Sequence, residues 1–386
     1  MARTSLDSSG QAEKRASGGR VILFPGCGPA CEAAARPTPS LPSLNQPFIQ
    51  GSLETPVGQV PVVSAELTRA DRLGAAKVRL GIGRMKYTIE PGLYALGQPD
   101  KDSPVLVSAN YKLSFDHLRR ALPGRSAWIL VLETKGINVW CAAGKGSFGT
   151  EELLSRLEES RLKELVAHRQ LILPQLSGPG VAAHLVKKRS GFKVVYGPIR
   201  ASDLPVFLDS GLKATPQMRR KDFPLAERAV LIPIELTHAL KHLAWLAPAL
   251  LFLGGLGFAG GYWHGLSNHG FFALTQLLGG LVAGSVLTPL LLPWLPGRAF
   301  SVKGILPGLA VSLALSAGLR PGLLEALGWL LASLAISAFL AMNFTGSSTY
   351  TSLSGVKKEM RLAVPLQIIA AGAGLAFWIA ARFVEI

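Results

Sequence analysis

The sequence predicts an α/β Rossmann-like domain followed by an all-α membrane domain of five transmembrane helices. Residues 61–235 alternate short apolar runs with amphipathic segments, a pattern typical of strands and helices in a sheet that is covered on both faces. Residues 236–386 instead contain apolar stretches that are each close to the roughly 20 residues a bilayer-crossing helix needs. These stretches lie at about 243–263, 271–295, 303–320, 323–343 and 363–383. A chain of 386 residues is long enough for two such domains.

Residues 1–60 are rich in Ser, Gly and Pro and contain too little apolar surface to offset the entropy of ordering, so we expect a disordered arm there. Cys27 and Cys31 lie in this arm. The pair is either incidental or able to hold a soft metal ion. With Cys141 they are the three cysteines of the chain, too few for a disulfide framework. No apolar signal-peptide region follows the charged start, so we expect residues 61–235 to stay in the cytoplasm.

The formal charge of +16 and the pI near 10.0 raise the question of nucleic-acid binding. No stretch interleaves basic and aromatic residues, and many basic residues flank the apolar spans, so we expect no nucleic-acid partner. By the positive-inside rule, these flanking charges predict an inner-membrane protein with its N-terminal domain in the cytoplasm and its C-terminus outside. They are Arg219, Arg220, Lys221, Arg228 and Lys241 before the first span, Arg298 and Lys303 after the second, and Lys357, Lys358 and Arg361 before the fifth.

Glu325 is the one acidic residue within the spans, and it lies close to the end of the span 323–343. No Lys, Arg or Asp lies near the centre of a span. Transport and proton relay normally need ionisable groups inside the membrane. The spans are therefore expected to form an anchor or an assembly platform rather than a transporter.

Within the α/β domain, the pattern predicts a parallel sheet. The expected strands are 86–96, 104–109, 127–132, 171–174 and 193–196, and the expected helices are 114–122, 151–168, 181–189 and 201–209. Ligands of such sheets bind beyond the carboxyl ends of the strands. This rule directs attention to the loops 110–114, 134–149 and 175–180.

Cys141 opens a helix within the second of these loops. The positive end of a helix dipole lowers the pKa of a thiol, and Lys145, four residues further on, adds positive charge on the same side. The neighbouring small residues leave a nearly bare surface on which a flat, metal-bearing cofactor could lie; they are Ala142, Ala143, Gly144 and Gly146.

Other interpretations of this segment stay open at the level of residues. A single cysteine after Trp140 is commonly a small core residue. As an acyl-transfer nucleophile, Cys141 would need a base such as His117, His168 or His184. The run 144–147 resembles part of a phosphate-binding loop but lacks the spacing of the complete motif.

Residues 138–145, Asn-Val-Trp-Cys-Ala-Ala-Gly-Lys, closely resemble the cap-helix signature of the HgcA family, the corrinoid proteins of the mercury-methylation pair. The segments 108–114, 173–180, 190–198 and 343–350 also resemble that family, as does the order of a soluble domain and five membrane helices. The resemblance covers about residues 80–386 and leaves Cys27 and Cys31 outside it. The α/β domain is also similar to the corrinoid-binding domain of the corrinoid iron–sulfur protein.

The resemblance implies a cobalamin-type corrinoid whose cobalt is ligated by Cys141, which would be both the metal ligand and the catalytic residue. It implies that the cofactor contacts the cap helix and the two neighbouring loops, through Asn138, Val139, Trp140, Cys141, Ala142, Ala143, Gly144, Lys145, Asn110, Tyr111 and Gly180. It further implies a corrinoid-dependent methyltransferase that passes a methyl group from methyl–cobalt(III) to Hg(II), giving methylmercury. A strongly donating thiolate suits this transfer because Hg(II) is itself an electrophile.

The partners implied are a ferredoxin-like electron donor with two [4Fe–4S] clusters and a methyl-folate-dependent methyl donor. The electron donor must be another polypeptide, because one such cluster usually takes four cysteines and this chain has three. An alternative is a membrane-anchored corrinoid methyl carrier of one-carbon metabolism that meets mercury only incidentally. Two other classes remain: a membrane protein with a nucleotide-binding domain, and a thiol-dependent hydrolase.

Overall fold

The computed structural model describes residues 40–257, 260–347 and 353–384. Residues 40–229 form an α/β domain around a seven-stranded sheet. Its strands are β1 Ile49–Thr55, β2 Gly58–Val63, β3 Gly92–Leu96, β4 Val105–Ala109, β5 Ala127–Leu132, β6 Gln170–Leu173 and β7 Lys193–Tyr196. Its helices are α1 Arg69–Arg79, α2 Lys112–Arg120, α3 Val139–Lys145, α4 Thr150–Glu159, α5 Ala183–Ser190, α6 Leu204–Asp209 and α7 Leu225–Ala229.

The first two strands correct the expected extent of the disordered arm. Residues 49–63 form an antiparallel hairpin, and β2 pairs with β3 in the sheet. In β2, Val60 is buried in one core of the domain and Val63 in the other, and this burial was not evident from the composition of residues 1–60. Residues 1–39, including Cys27 and Cys31, lie outside the described residues.

The sheet is mixed, not parallel as the sequence analysis expected. Its strand order is β1-β2-β3-β5-β4-β6-β7, and β3 runs antiparallel to β5 whereas β4, β6 and β7 run parallel to it. A parallel connection needs a crossover of about a dozen residues or more. Residues 97–104 between β3 and β4 are too few for one, so these two strands run in opposite directions.

Helices cover both faces of the sheet. Successive residues of β5 point alternately into two apolar cores, Trp128 and Leu130 into one and Ile129 and Val131 into the other. The first core also contains side chains of α4 and α5, and the second contains side chains of α2 and α6. This double burial explains why β5 is apolar at all six positions.

Some element limits differ from those predicted. The strand expected at 86–96 begins only at Gly92, and α1 was not predicted. The helix expected at 151–168 ends at Glu159, because Arg161 adopts a left-handed backbone conformation with φ 48°. Strand β7 coincides with its predicted limits.

Within the described residues, five helices are long and apolar enough to cross a membrane. They are α8 Ile232–Gly254, α9 Tyr262–Leu291, α10 Phe300–Leu319, α11 Leu323–Asn343 and α12 Leu353–Ala380. The first span was predicted about ten residues too late, at 243–263. The helix starts at Ile232 with Pro233 in its first turn and ends at Gly254, shortly before Gly257 with φ 149°.

Candidate functional site

Helix α3 presents Cys141 in its first turn. Asn138 is the N-cap residue, and its Oδ1 accepts a hydrogen bond from the backbone N–H of Cys141 at 2.9 Å. Gly146 ends the helix in a left-handed conformation with φ 85°. The local sequence therefore fixes both ends of a seven-residue helix and places the thiol near its start.

Asn110 connects the end of β4 to the loop that precedes α3. Its buried Oδ1 accepts hydrogen bonds from the backbone N–H groups of Thr134 and Gly136, both at 3.1 Å. Its amide nitrogen donates to Glu133 Oε1 at 2.8 Å. Asn110 thus holds the loop that carries α3, and this is a positioning role.

Gly180 brings the third loop against the same helix. A Cβ atom at position 180 would lie 2.2 Å from the carbonyl oxygen of Phe148 and 2.9 Å from the Cα atom of Ala143. Only glycine permits this approach. The loops after β4, β5 and β6, which the sequence analysis singled out, therefore do meet at one edge of the sheet.

The side chains of α3 divide into two groups. Ala142 and Ala143 are buried and pack into the core of the α/β domain. Val139, Trp140 and Cys141 are half-buried, and Gly144 and Lys145 are exposed. The two alanines thus face the sheet, so the surface open to a ligand is provided by the other residues of the helix.

The electrostatics around Cys141 differ from the expectation. Burial raises the pKa of the Cys141 thiol, whereas Lys145, Arg84 and the hydrogen bond with Asn138 act in the opposite direction and do not outweigh it. The expected lowering of the thiol pKa is therefore wrong for this structure. The reason is desolvation, which penalises the charged thiolate.

Arg84 is a residue that the sequence analysis missed. Its charge acts on both Cys141 and the buried Tyr111, whose pKa is raised by burial and lowered by Arg84 and Arg79. The segment around Arg84 lies beside the loop that precedes α3. A Cβ atom at Gly136, in that loop, would be 3.2 Å from the carbonyl oxygen of Met85. Residues 84–86 were expected to lead into or form a strand, so the sequence pattern gave no signal of this proximity.

A cavity of about 640 Å³ opens beyond the carboxyl ends of β4, β6 and β7. Ser108, Leu173 and Gly197 line its sheet side, and Val139 lines it from α3. Its lining also contains Arg120, Arg200 and the ion pair of Lys221 with Glu227. The cavity is thus large, partly apolar and adjacent to the helix that carries Cys141, as expected of a ligand site in an α/β fold.

The histidines that a hydrolase would need are not all near this edge. His168 Nε2 lies 2.9 Å from the carbonyl oxygen of Ser103, before the start of β4 and hence at the opposite edge of the sheet. His117 lines the cavity, and burial lowers its pKa, with Arg79 and Arg120 adding to the effect.

Fold and site together define a class: an α/β domain with a ligand cavity at the strand ends, joined to a set of apolar helices. Residues 83–208 match the sequence model of the family described as CO dehydrogenase/acetyl-CoA synthase delta subunit. The matched segment lies entirely within the α/β domain and includes α3.

Curated relatives agree with this match. Over 131 residues, the chain is 35% identical to the acetyl-CoA decarbonylase/synthase complex subunit gamma of Methanopyrus kandleri, and 31% identical to that of Archaeoglobus fulgidus. Each alignment covers 33% of this chain and 27% of the relative. The subunit gamma of Methanothermobacter thermautotrophicus is 25% identical over 190 residues, covering 45% of this chain and 41% of the relative.

The chain therefore spans about a quarter of the length of the first two relatives. The similarity relates the α/β domain to subunits of CO dehydrogenase/acetyl-CoA synthase and of acetyl-CoA decarbonylase/synthase complexes. It does not single out the mercury-methylation family.

Proposed function

We propose that this protein is a membrane-anchored, corrinoid-dependent methyltransferase whose methyl acceptor is Hg(II). The observation that carries the proposal is the placement of Cys141. Its half-buried thiol lies in the first turn of α3, the helix whose Val139 lines a cavity at the carboxyl ends of the strands, in a domain related to corrinoid proteins.

The residues present fit a corrinoid. One thiol supplies one metal ligand, which suits a metal whose other ligands come from the cofactor itself. The exposed Gly144 leaves room on the helix surface, and the cavity of about 640 Å³ has the size of a small-molecule site. When bound, the corrinoid supplies a cobalt centre that accepts and releases a methyl group.

The residues of the chain would have distinct tasks. Cys141 would hold the cobalt, and coordination would offset the desolvation that raises the pKa of its thiol, because metals bind the thiolate. Asn138, Asn110 and Gly180 would hold α3 in place. A thiolate donates more electron density than an imidazole, which favours transfer to an electrophile such as Hg(II).

The proposed partners lie outside this chain. A ferredoxin-like protein with two [4Fe–4S] clusters would return electrons, and a methyl-folate-dependent system would supply the methyl group. The five apolar helices would anchor the assembly in the inner membrane, with the α/β domain in the cytoplasm and the C-terminus outside.

The test is methylmercury formation from Hg(II) by anaerobic membranes that contain this protein and the ferredoxin partner. We expect Cys141→Ala to abolish activity and the double variant Cys27→Ala/Cys31→Ala to retain it. The absorption spectrum of the purified proteins reports bound corrinoid independently of activity. Wild-type protein without corrinoid, or Cys141→Ala with full activity, would contradict the proposal.

A second candidate is a methyl carrier of one-carbon metabolism, favoured by the similarity to subunits of acetyl-CoA decarbonylase/synthase complexes. The same preparation distinguishes the two. Corrinoid-loaded wild-type protein that exchanges methyl groups with a folate-dependent donor but forms no methylmercury would support the carrier and remove mercury as the acceptor.

A further inference from the structure

Helix α1 has one face that nothing in the α/β domain covers. The residues of this face are spaced three and four apart and are all exposed: Arg69, Arg72, Leu73, Ala76, Lys77 and Leu80, the last being the C-cap residue. The opposite side carries the buried Asp71 and Val78. The exposed face thus mixes cationic and large apolar side chains, an unusual composition for a face that meets only water.

The turn after α1 continues this surface. Residues 82–86 are all exposed, with Ile82 at 57% and Met85 at 66% of their full accessible area, and Leu73 on the helix is 64% exposed. We call the exposed face of α1 together with residues 82–86 the α1 surface. Contiguous exposed apolar side chains of this size mark an interaction surface.

The α1 surface carries positive charge without internal compensation. Among the described residues, Arg69, Arg72, Lys77 and Lys86 form no ion pair. The acidic residue of the helix, Asp71, points inward, where Lys112 and Arg119 neutralise it at 2.6 and 2.8 Å. Apolar side chains among free cations are what an anionic lipid surface attracts.

The α1 surface lies beside the first apolar helix. A Cβ atom at Gly81 would be 3.5 Å from both the Ile234 Cγ1 and the His238 Nε2 atoms of α8, and the charge of Arg84 acts on Glu235 of the same helix.

We propose that the α1 surface rests on the anionic headgroups of the membrane that α8 crosses, and so fixes the orientation of the α/β domain. Leu73, Ile82 and Met85 would enter the boundary between headgroups and acyl chains. Arg69, Arg72, Lys77 and Lys86 would contact lipid phosphates. This inference depends on the apolar helices being in a membrane and not on which cofactor the α/β domain binds.

The test uses the full chain in lipid nanodiscs, with a bimane fluorophore attached to Ile82→Cys in a Cys27→Ser/Cys31→Ser/Cys141→Ala background. The matched control carries the fluorophore at Lys187→Cys, an exposed position on the basic helix α5, which packs on the sheet face opposite to that of α2. Lipids with a nitroxide near the headgroup quench a fluorophore that lies at the membrane surface.

With phosphatidylglycerol present, we expect quenching at position 82 to exceed that at position 187 by about twofold or more. The quenching at position 82 should fall toward the control level when the membrane contains phosphatidylcholine alone or when salt is raised to about 1 M. It should fall likewise in the variant Arg69→Gln/Arg72→Gln/Lys77→Gln. The charge-matched variant Lys187→Gln/Lys188→Gln/Arg189→Gln should leave it unchanged.

Equal quenching at positions 82 and 187 in both membranes would overturn the proposal. Quenching by aqueous iodide is a further check at position 82. If this position becomes shielded from iodide only when a partner protein is added, the surface binds protein and the proposal is also overturned. A second measurement avoids the cysteine background: benzophenone introduced in place of Met85 in the otherwise native chain should cross-link to phosphatidylglycerol, and its failure to do so would also count against the proposal.

Discussion

At position 180, the absence of a side chain lets the loop after β6 touch helix α3. The carbonyl oxygen of Phe148 occupies the space that a Cβ atom would need. Asn110 acts in the same region through its side chain, which pairs two backbone N–H groups of the neighbouring loop. Both residues were predicted as cofactor contacts, and the structure gives each of them a packing or hydrogen-bonding task.

Gly180→Ala should therefore destabilise the α/β domain by about 1–3 kcal/mol, because the added methyl group meets backbone atoms that cannot rotate away. Gly178→Ala is the matched control, since a Cβ atom there would meet only the Gln175 carbonyl oxygen at 3.4 Å. Thermal unfolding in detergent measures both variants. Equal unfolding temperatures for the two would show that the loop adjusts without cost.

At the scale of elements, α1 and α2 are joined by a buried ionic network. Arg119, 1% exposed, donates to Asp71 and Asp116 at 2.8 Å, and Lys112 donates to the same two carboxylates. Burial acts to raise the pKa of Asp71, but hydrogen bonds from Lys112, Thr68 and Arg119 outweigh it and hold the pKa well below its usual value. Lys112, which lies in the segment 108–114 quoted for the family resemblance, thus has a structural role.

Arg119→Met should cost about 3–5 kcal/mol of unfolding free energy, because it leaves two buried carboxylates with Lys112 as their remaining cationic partner. Arg125→Met, which removes an exposed arginine paired with Asp209, should change stability little. Thermal unfolding monitored by circular dichroism compares the two. A similar effect of both substitutions would mean that the network is not what joins the helices.

The same network predicts a pH dependence. The pKa of Asp71 is lower in the folded protein than in the unfolded chain, so its stabilising contribution is present at neutral pH. The contribution is lost as the pH falls below about 4. In Arg119→Met the folded-state pKa of Asp71 should rise toward its unfolded value. The variant should therefore lose less stability through Asp71 when the pH is lowered.

At the scale of the whole molecule, Glu325 connects three of the apolar helices. It is 2% exposed, and its carboxylate lies 2.9 Å from His269 Nδ1 of α9, accepts a hydrogen bond from Trp378 Nε1 of α12 at 3.1 Å, and lies 3.2 Å from Arg382. The sequence analysis noted Glu325 only for its position near a helix end. Its partners come from residues that are far apart in the chain.

Glu325→Leu should destabilise the helix assembly by about 3–5 kcal/mol, because Arg382, 7% exposed, would lose its carboxylate partner. The double variant Glu325→Leu/Arg382→Met should recover much of that loss. Tryptophan fluorescence during thermal unfolding measures both variants, and Trp378, which contacts Glu325 and packs against Trp329, is one of the seven tryptophans that contribute to it. A double variant as unstable as the single one would argue against a charge-pairing role.

The sequence by itself determined the features that depend on neighbours along the chain. Five apolar helices, the buried strand β5 and the helix that begins before Cys141 all follow from local composition and periodicity. Helix limits were less secure, as α8 shows, because a helix end depends on a few glycines and caps rather than on mean hydropathy.

Only the tertiary structure decided that β3 pairs with β5, that the hairpin β1–β2 joins the sheet at β3, and which residues pair with Glu325. It also decided that burial outweighs the nearby positive charges at the Cys141 thiol, and that Arg84 approaches that thiol. These features depend on contacts between residues distant in sequence. Periodicity shows which side chains are buried, but it does not show against which partner each one is buried.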